Sequence, residues 1–194
     1  MNSGSKIISY LQSLKYRVLA YNIVYIEGVD PDTFELNGNS IDCWSDTRNV
    51  IRDDGKILQS CYATVKAGQY WMDNPMNEKG CAKVCFGQHK DAWTFGDHKG
   101  QDALVQCGNI SVYRNLDSTE GHKGNPVDTG DDFCIDQHTT RNGPSSVGMW
   151  SAGCLVGQFP ASHLRFMQLC RDSGKKTFDT TVMDGRELHQ LGVL

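Results

Sequence analysis

"DTRNVIRDDGKILQSCYATV", Asp46 to Val65, decides the fold class. Val50 and Ile51 lie on one side of Asp53-Asp54-Gly55, and Ile57, Leu58 and Tyr62 on the other. β-Branched and aromatic residues flanking an Asp-Gly pair read as strand, hairpin turn, strand. The same signals recur along the chain. "RVLAYNIVYIEGV" (17–29) is apolar and β-rich, one long strand or a strand pair. "DPDTFELNGNS" (30–40) is a turn region with Asp-Pro and Asn-Gly signals. "ALVQCGNISVYRNLD" (103–117) and "DDFCIDQH" (131–138) read as further strands, and "KTFDTTVMDGREL" (176–188) as a closing strand and turn. The segment Gly68 to Gly100, rich in glycine and aromatics, reads as a loop-heavy excursion. Two helices are expected. Ser5–Lys15 has Ile7, Ile8, Leu11 and Leu14 at helical spacing, with Ser3 or Ser5 as N-cap. Pro160–Lys176 has Leu164, Met167, Leu169 and Cys170 on an apolar side and Gly174 as a C-cap.

These elements predict a mainly β (α+β) protein, a β-sandwich or barrel-like domain with about two helices. The 194 residues fit one domain, 1–194, with an N-terminal helix and lead-in strand over 1–20 and the core over 21–194. A net charge of −4 and the lack of a basic-aromatic patch argue against a nucleic-acid partner. No run approaches 18 apolar residues, so stable membrane insertion is not expected. The first 29 residues interleave apolar positions with Lys6, Gln12, Lys15 and Arg17, unlike a secretory leader. Synthesis in the cytoplasm is the expectation, with most of the 8 cysteines as free thiols.

The chemistry concentrates in "HTTRNGPSSVGMWSAGC", His138 to Cys154. A catalytic thiol needs a base, access to substrate, and donors for the oxyanion. Ala152 and Gly153 are small, so a substrate can approach the backbone, and a turn there can aim amides at one point. His138 ends a predicted strand 16 positions earlier. The residues alone leave two readings open: Cys154 is a nucleophile paired with His138, or one more buried thiol. His138 needs an orienting partner on its other ring nitrogen, either Asp136 or a backbone carbonyl.

This run resembles the signature of L,D-transpeptidase (YkuD-type) catalytic domains, a histidine, a loop of comparable length, then Ser/Thr-His-Gly-Cys. Here it reads His138, then Ser151-Ala152-Gly153-Cys154. A weaker likeness to uncharacterised phage and bacterial cell-wall proteins spans Val24 to Asp184. The resemblance implies a β-rich domain acting on peptidoglycan stem peptides by cysteine acyl transfer. It implies Cys154 as nucleophile, His138 as base, Gly153 and Cys154 amides as the oxyanion hole, and Ser151 as support for the turn. Ala152 stands where the signature has a second histidine, and Leu155-Val156-Gly157 follow where an arginine is usual. That arginine would grip a substrate carboxylate. The departures leave hydrolysis and transfer open, with hydrolysis the preferred reading, and a single domain without leader or anchor fits a monomeric lytic enzyme of phage type, without cofactor, acting on the bacterial wall. Alternatives are true transpeptidation, or a non-catalytic wall-binding or virion module.

Other constellations carry competing readings. Trp150, Tyr70 and Trp71 stand near glycines, as core aromatics or as the wall of a substrate groove. Cys81, Cys85 and His89, four apart, are structural thiols and a histidine or part of a zinc site. His163 reads as an exposed helix-start histidine or one that approaches the site, and His98 and His122 as solvated loop residues or as part of a cleft lining. "NLDSTEGHKGNPVD" (115–128) has a calcium-loop flavour but fails the EF-hand pattern at Gly121.

Overall fold

A computed structural model describes residues 2–115 and 122–194. Eight strands close a barrel, and the Asp46–Val65 reading lies at its centre. β1 (Tyr21–Glu27), β2 (Asp46–Arg52) and β3 (Ile57–Thr64) run antiparallel in sequence, β2 and β3 joined through the Asp54-Gly55 turn. The barrel order continues through β10 (Leu155–Gly157), β9 (Gln137–Thr139), β6 (Gln101–Gln106), β5 (Gly87–His98) and β11 (Thr177–Asp184), which returns to β1. Only β9–β10 and β11–β1 are parallel. β4 (Cys81–Val84), β7 (Ile110–Asn115) and β8 (Val127–Gly130) form a separate three-stranded sheet.

An eight-stranded barrel has an interior that side chains can fill. Tyr25, Trp93, Leu104, Leu155 and Phe166 share one buried cluster. Phe166 comes from α3 (Pro160–Asp172), whose Met167, Leu169 and Cys170 join the same cluster. A second cluster lies outside the β1–β11 wall. It combines Val24, Ile26 and Met183 with Ile7, Ile8 and Leu11 of α1 (Ser3–Ser13) and Leu188 of α4 (Gly185–Gln190). Strand alternation explains the division, since Ile23 and Tyr25 face one side of β1 while Val24 and Ile26 face the other.

The interior also holds polar groups. Arg48 of β2 is fully buried, its guanidinium 4.1 Å from the Phe166 ring centre and 3.2 Å from His163 Nδ1. A Cβ at Gly157 would stand 2.7 Å from Arg48 Nη2, so β10 needs glycine there to admit the arginine. Gln137 is fully buried too. Its Nε2 donates to Thr180 Oγ1 at 2.7 Å, and its Oε1 accepts from the Tyr25 hydroxyl at 3.3 Å. These bonds aim Gln137 into the barrel, so Asp136 and His138 project from the other face.

Several expectations change. There are four helices among the described residues, not two. α2 (Gln69–Asp73) and α4 are short, and α4 is started by the Asp184 carboxylate accepting from Arg186 N–H. The supposed loop from Gly68 to Gly100 contains α2, β4 and the twelve-residue β5, which pairs on both edges. Residues 131–136 form no strand, and only three residues of β9 follow them. The lead-in strand is also missing before Tyr21, where Asn22 folds its side chain back onto the Leu19 backbone and Arg17 N–H donates to Gln88. The outcome is a barrel with an added small sheet. No described helix is long and apolar enough to cross a membrane.

Replacing Gln137 with Leu removes both buried hydrogen bonds and strands the Thr180 hydroxyl. It should lower stability in urea unfolding by about 1–3 kcal/mol. Unchanged stability would show that Gln137 does not anchor β9.

Candidate functional site

Two short strands bring the His138–Cys154 segment together at its ends. β9 and β10 pair in parallel, Leu155 with Gln137 and Val156 with His138, and Leu155 N–H donates to the Asp136 carbonyl at 3.0 Å. Leu155 packs into the barrel, while Val156 and Cys154 join a cluster on its outer face with Trp44, Val147 and Trp150. Cys154 therefore lies beside Asp136, one strand across and two residues along from His138, on the same face as both.

The turn before Cys154 is held by its own residues. Ser151 is fully buried; its hydroxyl donates to the Cys154 carbonyl at 2.8 Å and accepts from Gly153 N–H at 3.1 Å. The Ser151 carbonyl accepts from Gly68 N–H at 2.9 Å, fastening the turn to the start of α2. Gly153 has φ +133°, and a Cβ there would stand 2.7 Å from the Ala82 carbonyl oxygen. Serine and glycine are thus required by the turn itself. The Gly153 amide is occupied by Ser151 in this resting geometry.

His138 is buried, with 3 % of its surface exposed. Its Nδ1 lies 3.0 Å from the Thr139 carbonyl. A carbonyl only accepts, so Nδ1 carries the proton and Nε2 the lone pair. That Nε2 is buried without a hydrogen-bond partner. Of the two orienting partners considered, the backbone carbonyl is the one in contact. Asp136 instead binds His98 Nδ1 at 2.7 Å, and the His98 ring stacks on His138 with centres 3.9 Å apart and planes 6° from parallel.

Burial, aided by the neighbouring His98 ring, pushes His138 down to about 4. Burial pushes the Cys154 thiol up to about 12, against the opposing pull of the Asp136 backbone amide. The site rests as neutral thiol and neutral imidazole at physiological pH. The Asp136 carboxylate and the Lys99 ammonium act on both groups.

Cavities of about 470 Å³ lie on either side of the turn. One is lined by His98, Lys99, Gln101, His138, Arg141 and Trp150 among others. The other includes Trp71, Lys79, Arg114, Phe133 and Ala152. Trp150 and Trp71 therefore face different cavities. Tyr70 is exposed and packs edge-to-face on Trp71 with ring centres 5.0 Å apart. His98 lines the cavity, as one of its two readings had it, while Lys99 and Gln101 had no motif to mark them. They arrive from the tip of the β5–β6 hairpin, where Lys99 and Gly100 both take positive φ and His98 pairs with Gln101. The visible signal was the Lys-Gly pair of a two-residue turn.

Other candidates resolve differently. His163 is buried, its Nε2 donating to the Asp102 carbonyl at 2.8 Å, so it is a structural partner of Arg48 and no surface residue. His122 is exposed. Cys81 Sγ is 2.9 Å from the Trp71 carbonyl and His89 Nε2 is 2.9 Å from the Cys85 carbonyl. Among the described residues no three His, Cys, Asp or Glu side chains converge as a metal would require. Residues 116–121 of the calcium-like segment, Gly121 included, lie outside the described residues. In comparison with known proteins, no family model, curated protein or solved structure matches the chain.

The buried histidines set a pH dependence of stability. Burial lowers His89, His138 (to about 4) and His163 (to about 3) from an ordinary value of 6.5. The unfolded chain binds more protons below that value, so stability present above pH 6.5 is lost as pH falls towards 4. Cys154 and Cys170, both raised to about 12 from 9.0, act oppositely, with stability lost as pH rises past 9. Urea unfolding across pH should show a maximum between about pH 7 and 9. Equal stability at pH 5 and pH 7.5 would contradict the assignment of neutral buried imidazoles.

Proposed function

We propose that the chain is a cysteine-dependent peptidoglycan peptidase. It cleaves stem-peptide bonds through a Cys154 thioester, with His138 as base. The observation that carries this reading is the lone pair on His138 Nε2, buried and without a hydrogen-bond partner, in a residue that lines a cavity together with Trp150 of the Cys154 turn. A buried imidazole nitrogen left without a partner costs stability, and a proton-accepting task accounts for its retention. The L,D-transpeptidase-like arrangement of Ser151, Gly153 and Cys154 supports the same conclusion.

The reaction begins from the neutral pair. The Cys154 sulfur attacks the peptide carbonyl as its proton passes to His138 Nε2. The tetrahedral oxyanion is stabilised by the Cys154 amide, joined by the Gly153 amide once that N–H turns from the Ser151 hydroxyl to the oxyanion. Collapse expels the amine, which takes the proton back from Nε2 and leaves a thioester on Cys154. Water then attacks the thioester, giving up a proton to Nε2, and the carboxylic acid departs as the thiol re-forms. An acceptor amine in place of water would make the reaction a transfer. Lys99 and Arg141 offer cations to a substrate carboxylate in the absence of an arginine after Cys154. Trp150 supplies an apolar wall in the same cavity.

Purified sacculi incubated with the protein provide the test, with mass spectrometry of the released muropeptides. Wild-type protein should release cleaved stem peptides, and Cys154→Ala should release none. His138→Gln should reduce release by about a hundredfold or more. Wild-type turnover retained in Cys154→Ala would sink the proposal, as would sacculus binding without turnover in the wild type.

A further inference from the structure

Cys154 has a second cysteine beside it. Its Sγ lies 3.7 Å from the Cys134 carbonyl oxygen. The Cys134 thiol rests 3.8 Å from the Asp132 carbonyl oxygen, so a bond to Cys154 requires rotation about χ1 of Cys134, and covalent geometry keeps that sulfur within about 5 Å of the carbonyl oxygen that Cys154 Sγ approaches. The two residues belong to adjoining segments, since Cys154 lies beside Asp136 and Cys134 is two residues before it.

Cys134 differs from the other thiols in two respects that bear on reactivity. It is exposed, whereas Cys61, Cys81, Cys85 and Cys170 are buried. It also takes φ +53°, a left-handed conformation costly for a residue with a Cβ. Such strain persists where surrounding structure enforces it, and it gathers at functional and switching positions. Cys134 lies outside any strand, next to Ile135, whose N–H and carbonyl are held by the side chains of Gln106 and Trp93, so its side chain can turn without breaking a sheet. Cys43 and Cys107 are exposed too, but of the three it is Cys134 whose backbone carbonyl meets Cys154 Sγ, while the thiol of Cys107 lies 3.7 Å from the Asp91 carbonyl.

We propose that Cys134 and Cys154 form a reversible disulfide under oxidation by a peroxide, with Cys134 as the entry point. The exposed Cys134 thiolate attacks one peroxide oxygen; the O–O bond breaks, the sulfur becomes a sulfenic acid, and water leaves after protonation. The Cys154 sulfur then attacks the Cys134 sulfur, its proton and the sulfenic hydroxyl departing together as a second water. Two thiols are oxidised and one peroxide is reduced to two waters. A dithiol reductant returns both thiols by exchange. The link would cap Cys154 and spare it the irreversible oxidation steps beyond sulfenic acid.

Trypsin separates the two residues, because Arg141 lies between them, so the link can be read directly. The full-length protein would be treated with hydrogen peroxide, free thiols alkylated, and tryptic peptides mapped without reduction. The expected product is a pair joining the peptide that ends at Arg141 to the peptide that ends at Arg165, abolished by dithiothreitol. In Cys134→Ser the pair should vanish, and Cys154 should appear as free thiol or as sulfinic acid. Cys134 linked instead to Cys107 or Cys43, or Cys154 alkylated in full after wild-type Cys134 is oxidised, would overturn the proposal. This readout is independent of wall-cleaving activity. If the protein also cleaves sacculi, oxidation should silence it and dithiothreitol should restore it.

Discussion

The candidate site depends on the direction in which Gln137 points. β9 has three residues and pairs weakly with its neighbours, one register pair to β6 and three to β10. A strand this short has little ladder to fix its facing, and a slip by one residue would turn every side chain over. The bonds from Gln137 to Thr180 and Tyr25 remove that freedom from inside the barrel. With Gln137 inward, His138 and Asp136 must face outward, and the parallel pairing sets Cys154 beside them. A glutamine in the core thereby positions an imidazole on the surface side.

The same economy governs the turn. Ser151 closes it with two bonds, and Gly153 allows it to pass against the Ala82 carbonyl. The resulting pair is electrically quiet. Low-dielectric surroundings disfavour both thiolate and imidazolium, so both groups rest neutral. A thiol held neutral reacts more slowly with oxidants than a thiolate, which gives the more exposed Cys134 its separate significance.

Parts of this arrangement were legible in the chain and parts were not. The Asp46–Val65 hairpin and the helix begun at Pro160 declared themselves through local pattern. The Ser-x-Gly-Cys turn did so through residue types that the turn physically needs. β5 was hidden because Gly87, Gly96 and several charged residues mask its alternation, and its structure comes from pairing with β6 and β11. Gly96 itself is explained by a partner, since a Cβ there would stand 2.6 Å from Val105. His98 and Asp136 are 38 residues apart, and no local signal announces their contact. Arg48 and His163, 115 apart, were unreadable as buried partners for the same reason. Tertiary packing decided each of these positions, and local propensity did not oppose it strongly enough to leave a trace.

The central claim is that Cys154 becomes acylated. Wild-type protein mixed with a synthetic stem peptide, quenched in acid during turnover and mapped by mass spectrometry, tests it directly. An acyl adduct on Cys154 that hydroxylamine removes is expected, with no such adduct in Cys154→Ser at the thioester mass. Product formation with no adduct on Cys154, or with the acyl group on another residue, would contradict it.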